Sequence, residues 1–352
     1  MRALTVTPGV RDSAKVVDLP DPEPGEGELL VEGLAIGVCG TDREIAGGRY
    51  GWPPDGSDRL VLGHESLGRV LEAPAGAGFE RGDLVAGVVR RPDPVPCGAC
   101  AAGEFDMCRN GGYRERGIKQ LDGYGSERWT VPVEYAVHLP GDGGVTGVLV
   151  EPTSVVAKAW EQVELIGERA WFRPEVALVT GAGPIGLLAA LLGTQRGLDV
   201  HVLDRVTDGV KPELVAALGA TYHHAPVAEV AERVSPDVVI EATGVGQVVF
   251  DAVAGTAAYG IVCLTGVSSG GHTLKIDAGA INREVVLEND TVVGSVNANL
   301  RHYRAAAQAL GKADPSWLDR LITRRVPLAS AADALAPSES DVKVVVTLSE
   351  DL

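Results

Sequence analysis

The sequence has no long apolar run. The longest, Leu60–Leu62, Val176–Val179 and Leu187–Leu192, stop far short of the roughly 20 residues that span a bilayer, so no membrane partner is expected. Basic stretches are also missing. None exceeds Arg90-Arg91 or Arg324-Arg325, against a formal net charge of −17. Neutralising nucleic-acid phosphates takes clustered Lys and Arg, so DNA and RNA are not expected as partners either. Lysine is scarce, with seven of the 31 basic residues. The acidity fits solubility through self-repulsion or adaptation to high salt, and the absence of blocks of five or more acids favours the first. Cysteine is sparse and odd in number, five in all, which makes a poor disulfide framework. The opening Met1–Val6 turns polar and proline-rich without an apolar signal core. A cytoplasmic protein is the expectation.

What is present is globular. The chain has 352 residues, 45% hydrophobic and 22% charged, enough for two domains with at least one large core. Residues 1–150 look β-rich. Short runs such as Leu29–Val31, Gly68–Leu71 and Asp83–Val89 are broken by Gly and Pro clusters, Pro20–Gly27 among them. The character then changes. Val176–Thr180 reads as a buried strand, Leu187–Thr194 as a helix and Asp199–Asp204 as a strand. Lys211–Leu218 reads as a helix stopped by Gly219, with strands at Asp237–Ala242 and Gly260–Leu264. This alternation predicts a doubly wound parallel sheet. Beyond it, His302–Leu310 predicts an amphipathic helix and Val342–Leu348 a strand. The expected organisation is a β-rich domain from 1–150 and 296–352, with a dinucleotide-binding domain at 151–295 set into it.

Gly181-Ala182-Gly183-Pro184-Ile185-Gly186 fits G-x-G-x-x-G between a strand run and a helix, the context in which the pattern carries meaning. Glycines there let main-chain N–H groups and a helix N-terminus face a pyrophosphate. Asp204 ends the next strand, where a carboxylate accepts hydrogen bonds from the ribose hydroxyls of NAD and repels the extra phosphate of NADP. Arg205 beside it is placed to stack on adenine or to meet that phosphate. NAD is therefore expected over NADP, with dual use open.

Two further clusters concern metal. Cys39, in Gly37-Val38-Cys39-Gly40-Thr41-Asp42, and Gly63-His64-Glu65 supply a soft thiolate, an imidazole and a hard carboxylate, a plausible Zn²⁺ set, although spacing alone does not decide it. Cys97, Cys100 and Cys108 lie within twelve residues of one another. His223-His224 look like a metal pair, but neighbours on a strand point to opposite faces and are read as surface residues.

These motifs, in this order, resemble the zinc-dependent medium-chain alcohol/polyol dehydrogenase family over nearly the whole chain. Within it the glucose 1-dehydrogenase branch is most similar, through Cys39–Ile45, Leu62–Glu65, Arg90-Arg91-Pro92, Glu115–Ile118 with Asp122-Gly123, Glu151-Pro152 and Gly294–Asn297. The resemblance implies a GroES-like β-rich catalytic domain and a Rossmann domain. It implies a catalytic zinc among Cys39, His64 and Glu65, with Glu151 bound directly or through water. Thr41 would act as the proton relay and Glu44 would stand at its outer end. Thr41, Glu115, Glu151 and Asn297 would contact the sugar. Thr243, Val267 and Asn297 would flank the cofactor, beside Gly181, Gly183, Pro184, Ile185, Gly186, Asp204 and Arg205. A second, structural zinc usually sits on four cysteines. Here Pro94 occupies the first position, and the adjacent Asp93 is the substitute ligand beside Cys97, Cys100 and Cys108. Val155 stands where some relatives carry Asp, which predicts looser choice among aldoses. The implied reaction is oxidation of an aldose, D-glucose first, at C1 to the lactone by a homodimer or homotetramer. The alternatives are a polyol or threonine-type secondary-alcohol dehydrogenase and, from another class, a non-catalytic NAD-binding protein.

Overall fold

The structure is a computed structural model that describes residues 1–140, 144–268, 270–271 and 273–350. The chain divides into two units, Met1–Ser154 with Ala298–Leu352, and Val155–Asn297.

The first unit is built around the 11-residue strand Glu28–Val38, which is buried along most of its length. It pairs antiparallel with Glu65–Glu72 and with Lys343–Thr347. The sheet runs in the order Ala136–His138, Leu84–Gly87, Glu65–Glu72, Glu28–Val38, Lys343–Thr347, Ile322–Pro327, and Arg128–Pro132 also pairs with Glu28–Val38. Residues from both ends of the chain thus sit side by side, and Leu29, Val31, Ile36, Trp129, Val344 and Val346 share one core. A smaller sheet joins Arg90–Arg91, Arg114–Arg116 and Gln120–Leu121.

The second unit is a six-stranded parallel sheet. Its order is Thr221–His223, Asp199–Leu203, Val176–Thr180, Val238–Glu241, Ile261–Leu264, Thr291–Gly294. Numbered along the chain, this is third, second, first, fourth, fifth, sixth, the doubly wound arrangement whose ligands bind beyond the carboxyl ends of the central strands. The apolar run Leu187–Leu192 becomes the buried face of the helix Pro184–Gln195. The helix Val210–Ala217 ends before Gly219, which takes φ +76° as a helix-stopping glycine does. No helix among the described residues is long and apolar enough to cross a membrane.

Candidate metal and dinucleotide sites

The first site begins with backbone geometry. Gly37 lies opposite Glu65 in the sheet, and a Cβ on Gly37 would meet Glu65 Oε2 at 1.8 Å. Glycine at this position is what lets the Glu65 carboxylate fold back over the neighbouring strand. Cys39 then caps the short helix Gly40–Ala46. Its Sγ accepts from Thr41 N at 3.3 Å, and its N–H donates to Asp42 Oδ2 at 2.9 Å. The C-x-x-D spacing is therefore a reciprocal helix cap, and it holds the thiol still.

Cys39, His64 and Glu65 each offer a ligand atom, and the three lie within 4.8 Å of one another. Cys39 Sγ stands 3.0 Å from His64 Nε2. His64 Nδ1 faces Asp42 Oδ1 at 3.3 Å, the arrangement by which a carboxylate orients a metal-binding imidazole. Burial opposes charge on His64, but Asp42 and Cys39 outweigh it and lift the imidazole well above its usual pKa. The convergence of thiolate, imidazole and carboxylate suits zinc.

Glu65 has a partner that sequence reasoning missed. Lys343 Nζ, in the last strand, donates to Oε1 at 2.6 Å and to Oε2 at 2.5 Å, with both side chains almost wholly buried. A lone lysine at the start of a valine run gives no local signal of such a contact. Glu151, in the first turn of the helix Val150–Gly167, lies outside the three-atom group but within its field. Burial raises its carboxyl to about 7, with His64 and Lys343 lowering it and Glu65 and Asp42 raising it. Thr41 is half-buried in the capped helix, and Glu44 is exposed one turn on.

Glu115 sits on the small sheet, directly opposite Arg90. Arg90 Nε and Nη2 donate to its Oε1 at 3.0 and 2.9 Å. In the cysteine lobe the ligand atoms of Cys97, Cys100 and Cys108 converge within 4.8 Å. The N–H groups of Arg109 and Cys100 hold the Cys97 thiol down at about 6. Asp93 is not part of that group. Its Oδ1 accepts from Val95 N at 2.9 Å, while its main chain hydrogen-bonds the Cys100 thiol.

The glycine turn has the form a dinucleotide needs. Gly181 takes φ +94°, a region only glycine enters freely. A Cβ on Gly186 would fall 1.7 Å from Gly181 O, whereas one on Gly183 would meet open space. Gly186 thus lets the helix press against the turn, and Gly183 leaves the main chain bare. Pro184 and Ile185 open the helix, with Pro at its first position. Asp204 is drawn inward. Its carboxylate accepts from Ala182 N at 2.7 Å and Val206 N at 3.2 Å and pairs with Lys211 at 3.2 Å, and these contacts outweigh burial and lower its pKa. Arg205 is exposed beside it.

Buried Glu241 organises two further turns. Its carboxylate accepts from Thr243 N at 2.7 Å and Thr243 Oγ1 at 2.5 Å, and its carbonyl from Thr265 N at 2.8 Å. Val267, next to the second turn, is an apolar side chain 83% exposed. Asn297 takes φ +63° at the end of this unit. His223 is tied down rather than left on the surface, with Nε2 2.8 Å from His201 Nδ1 and Arg233 on its Nδ1, whereas His224 is exposed.

The alcohol dehydrogenase GroES-like domain family matches residues 25–141, and the glucose dehydrogenase C-terminus family matches residues 144–348. The chain is 41% identical to the glucose 1-dehydrogenase of Methanocella arvoryzae, covering 99% of each. It is also 41% identical to that of Thermoproteus tenax, covering 98% of this chain and 99% of the other. Among solved structures, Haloferax mediterranei glucose dehydrogenase in complex with NADP, Zn and gluconolactone superposes with a TM-score of 0.91 at 35% identity, covering 99% of both chains.

Proposed function

The chain belongs to the zinc-dependent medium-chain dehydrogenases, in their glucose dehydrogenase branch, and from that premise we propose how its own residues oxidise D-glucose to gluconolactone with hydride transfer to a nicotinamide dinucleotide. The polyol, secondary-alcohol and non-catalytic readings give way, because the relatives matched over nearly the full chain carry the glucose 1-dehydrogenase name. The observation that carries the assignment of residues is the convergence of Cys39, His64 and Glu65 beside a raised Glu151 carboxyl.

Cys39, His64 and Glu65 would hold the catalytic zinc, with Glu151 as a further ligand or linked to it through water. Zinc there supplies a Lewis acid that lowers the pKa of the reacting hydroxyl. Asp42 keeps Nε2 of His64 turned to the metal. The Thr41 hydroxyl would take up the proton of the sugar hydroxyl as it releases its own, and Glu44, exposed on the same helix, would stand at the outer end of that relay toward solvent. Glu115, Glu151 and Asn297 pair with sugar hydroxyls that would otherwise be buried unsatisfied. Val155 offers no such pair, so galactose and xylose should also react. The Cys97, Cys100 and Cys108 thiolates hold a second zinc, completed by Asp93 or water.

In the second unit, Gly181, Gly183, Pro184, Ile185 and Gly186 take the pyrophosphate, and Thr243, Val267 and Asn297 flank the nicotinamide. The expectation of NAD preference finds no support, since the solved relative holds NADP. Asp204 here is engaged by two main-chain N–H groups and by Lys211. Its charge is thereby partly answered, and Arg205 with Lys211 can meet a 2′-phosphate. We read the chain as taking NADP, with NAD as a second substrate.

The test is the initial rate of NADP⁺ and of NAD⁺ reduction with D-glucose, before and after exhaustive chelation. A rate with both cofactors that collapses on chelation and returns with zinc is expected. No rate with glucose from zinc-replete protein would sink the reading, and a rate indifferent to chelation would remove the metal from it.

A further inference from the structure

We propose that Arg90 is a positioning residue for the sugar, acting through Glu115, and that the cysteine lobe anchors it. The inference rests on the proposed role of Glu115 in sugar binding. Arg90 and Glu115 are 7% and 4% exposed. They face each other across the antiparallel strands Arg90–Arg91 and Arg114–Arg116. Arg90 engages one carboxylate oxygen with two nitrogens, Nε at 3.0 Å and Nη2 at 2.9 Å. Its third nitrogen, Nη1, donates to the carbonyl of Asp106 at 3.1 Å. The guanidinium lies 3.7 Å above the Tyr113 ring. Every nitrogen of the fork is thus committed, and a ring limits its movement on one face.

Asp106 is itself fixed. It belongs to the short turn Phe105–Met107, which ends at the metal-cluster residue Cys108. Its carboxylate accepts from Asn299 Nδ2 at 2.9 Å, and the same Nδ2 lies 2.7 Å from Gly103 O. A continuous path of contacts therefore runs from the thiol cluster through Asp106 and Arg90 to Glu115.

Burying an ion pair rarely adds net stability, because desolvation offsets the attraction. Its use here is geometric. A free glutamate carries several rotamers, and a sugar would have to select one. A carboxylate clamped through one oxygen keeps its charge and its direction before the sugar arrives, which lowers the cost of ordering at binding. Lysine has a point charge in place of the planar fork and cannot reproduce the clamp.

The test is steady-state kinetics on zinc-loaded protein of full length, with R90K, E115Q and the double variant R90Q/E115Q. R90K should raise KM for glucose about tenfold, a coupling of ordinary size for contacting residues. It should leave kcat within about twofold and KM for NADP⁺ unchanged, since loss of a purely structural residue would not single out the sugar. E115Q should raise KM for glucose by a similar factor. R90Q/E115Q should match E115Q, because the carboxylate charge that Arg90 clamps is gone in both. An unchanged glucose KM in R90K would overturn the positioning role while leaving Glu115 as a sugar contact. A further tenfold rise in the double variant over E115Q would overturn it too, and the double variant itself leaves no charge at either position, which keeps the test open if R90K does not fold. An unchanged glucose KM in E115Q would instead remove Glu115 from the sugar site, and the inference with it.

Discussion

Lys343 and Glu65 place two opposite charges in a space closed to water, a few ångströms from the thiol and imidazole of the proposed metal site. Burial lowers the affinity of Lys343 for its proton, but Glu65 and Cys39 outweigh it, so the ammonium is held above its usual pKa and stays charged. The pair then answers the Glu65 charge within the protein alone, and metal entry exchanges one cation partner for another. Lys343→Met removes the internal cation and leaves the buried Glu65 carboxylate beside Glu151 without it. Breaking a buried pair on one side costs about 3–5 kcal/mol. In chelated protein the variant should therefore melt several degrees below the unmodified chain. Added zinc should return more of that loss in the variant than it adds to the unmodified chain, because a divalent ion takes over the role of the ammonium. Thermal melts of both proteins, chelated and zinc-loaded, check this, and equal melting of the two chelated proteins would show that Lys343 does not stabilise Glu65.

At the scale of elements, each site is a strand end joined to a helix start, and legibility followed that joint. Gly181–Gly186 could be read because its chemistry is local: the turn, the open backbone and the helix packing all fall within six residues. Gly186 carries the packing part, since a Cβ there lands 1.7 Å from the Gly181 carbonyl. Gly186→Ala must push the helix Pro184–Gln195 off the turn, which should raise KM for NADP⁺ at least tenfold, as loss of about 1.4 kcal/mol or more would. The zinc content should not change, and metal analysis beside cofactor titration separates the two effects. Contacts between distant elements were not legible. Lys343 reaches Glu65 from 278 residues away, and Arg90 meets Glu115 only because a small sheet forms. Glu241, inside the expected strand Asp237–Ala242, ties two turns together through both its carboxylate and its carbonyl. Such pairings depend on sheet register, which periodicity alone does not fix across long loops. Asp93 differs for a local reason. Its side chain, next to Pro94, caps its own loop at Val95 N as well as standing beside the thiol lobe in the sequence.

At the scale of the molecule, the charge decides a question that the sites leave open. A net charge of −17 over 352 residues repels itself in the folded state. If this is simple self-repulsion, salt acts by screening, and screening is nearly complete once the Debye length falls to about 3 Å near 1 M. The melting temperature should then rise as KCl goes from about 10 mM to a few hundred millimolar, and level off before about 1 M, where little repulsion is left to screen. Adaptation to high salt predicts a different curve, still climbing well past 1 M. The acids occur without long blocks, and several are already answered. Arg69 pairs with Glu32, Arg196 with Glu164, Arg301 with Glu104 and Arg324 with Asp341. Screening also weakens such surface pairs, so their loss opposes the gain and flattens the curve further. A plateau below 1 M KCl is therefore the expected result. Melts in KCl and in an equal ionic strength of sulfate distinguish screening from preferential exclusion, because an excluded salt strengthens apolar burial whatever the net charge. A melting temperature that keeps rising in molar KCl would assign the acidity to salt adaptation instead.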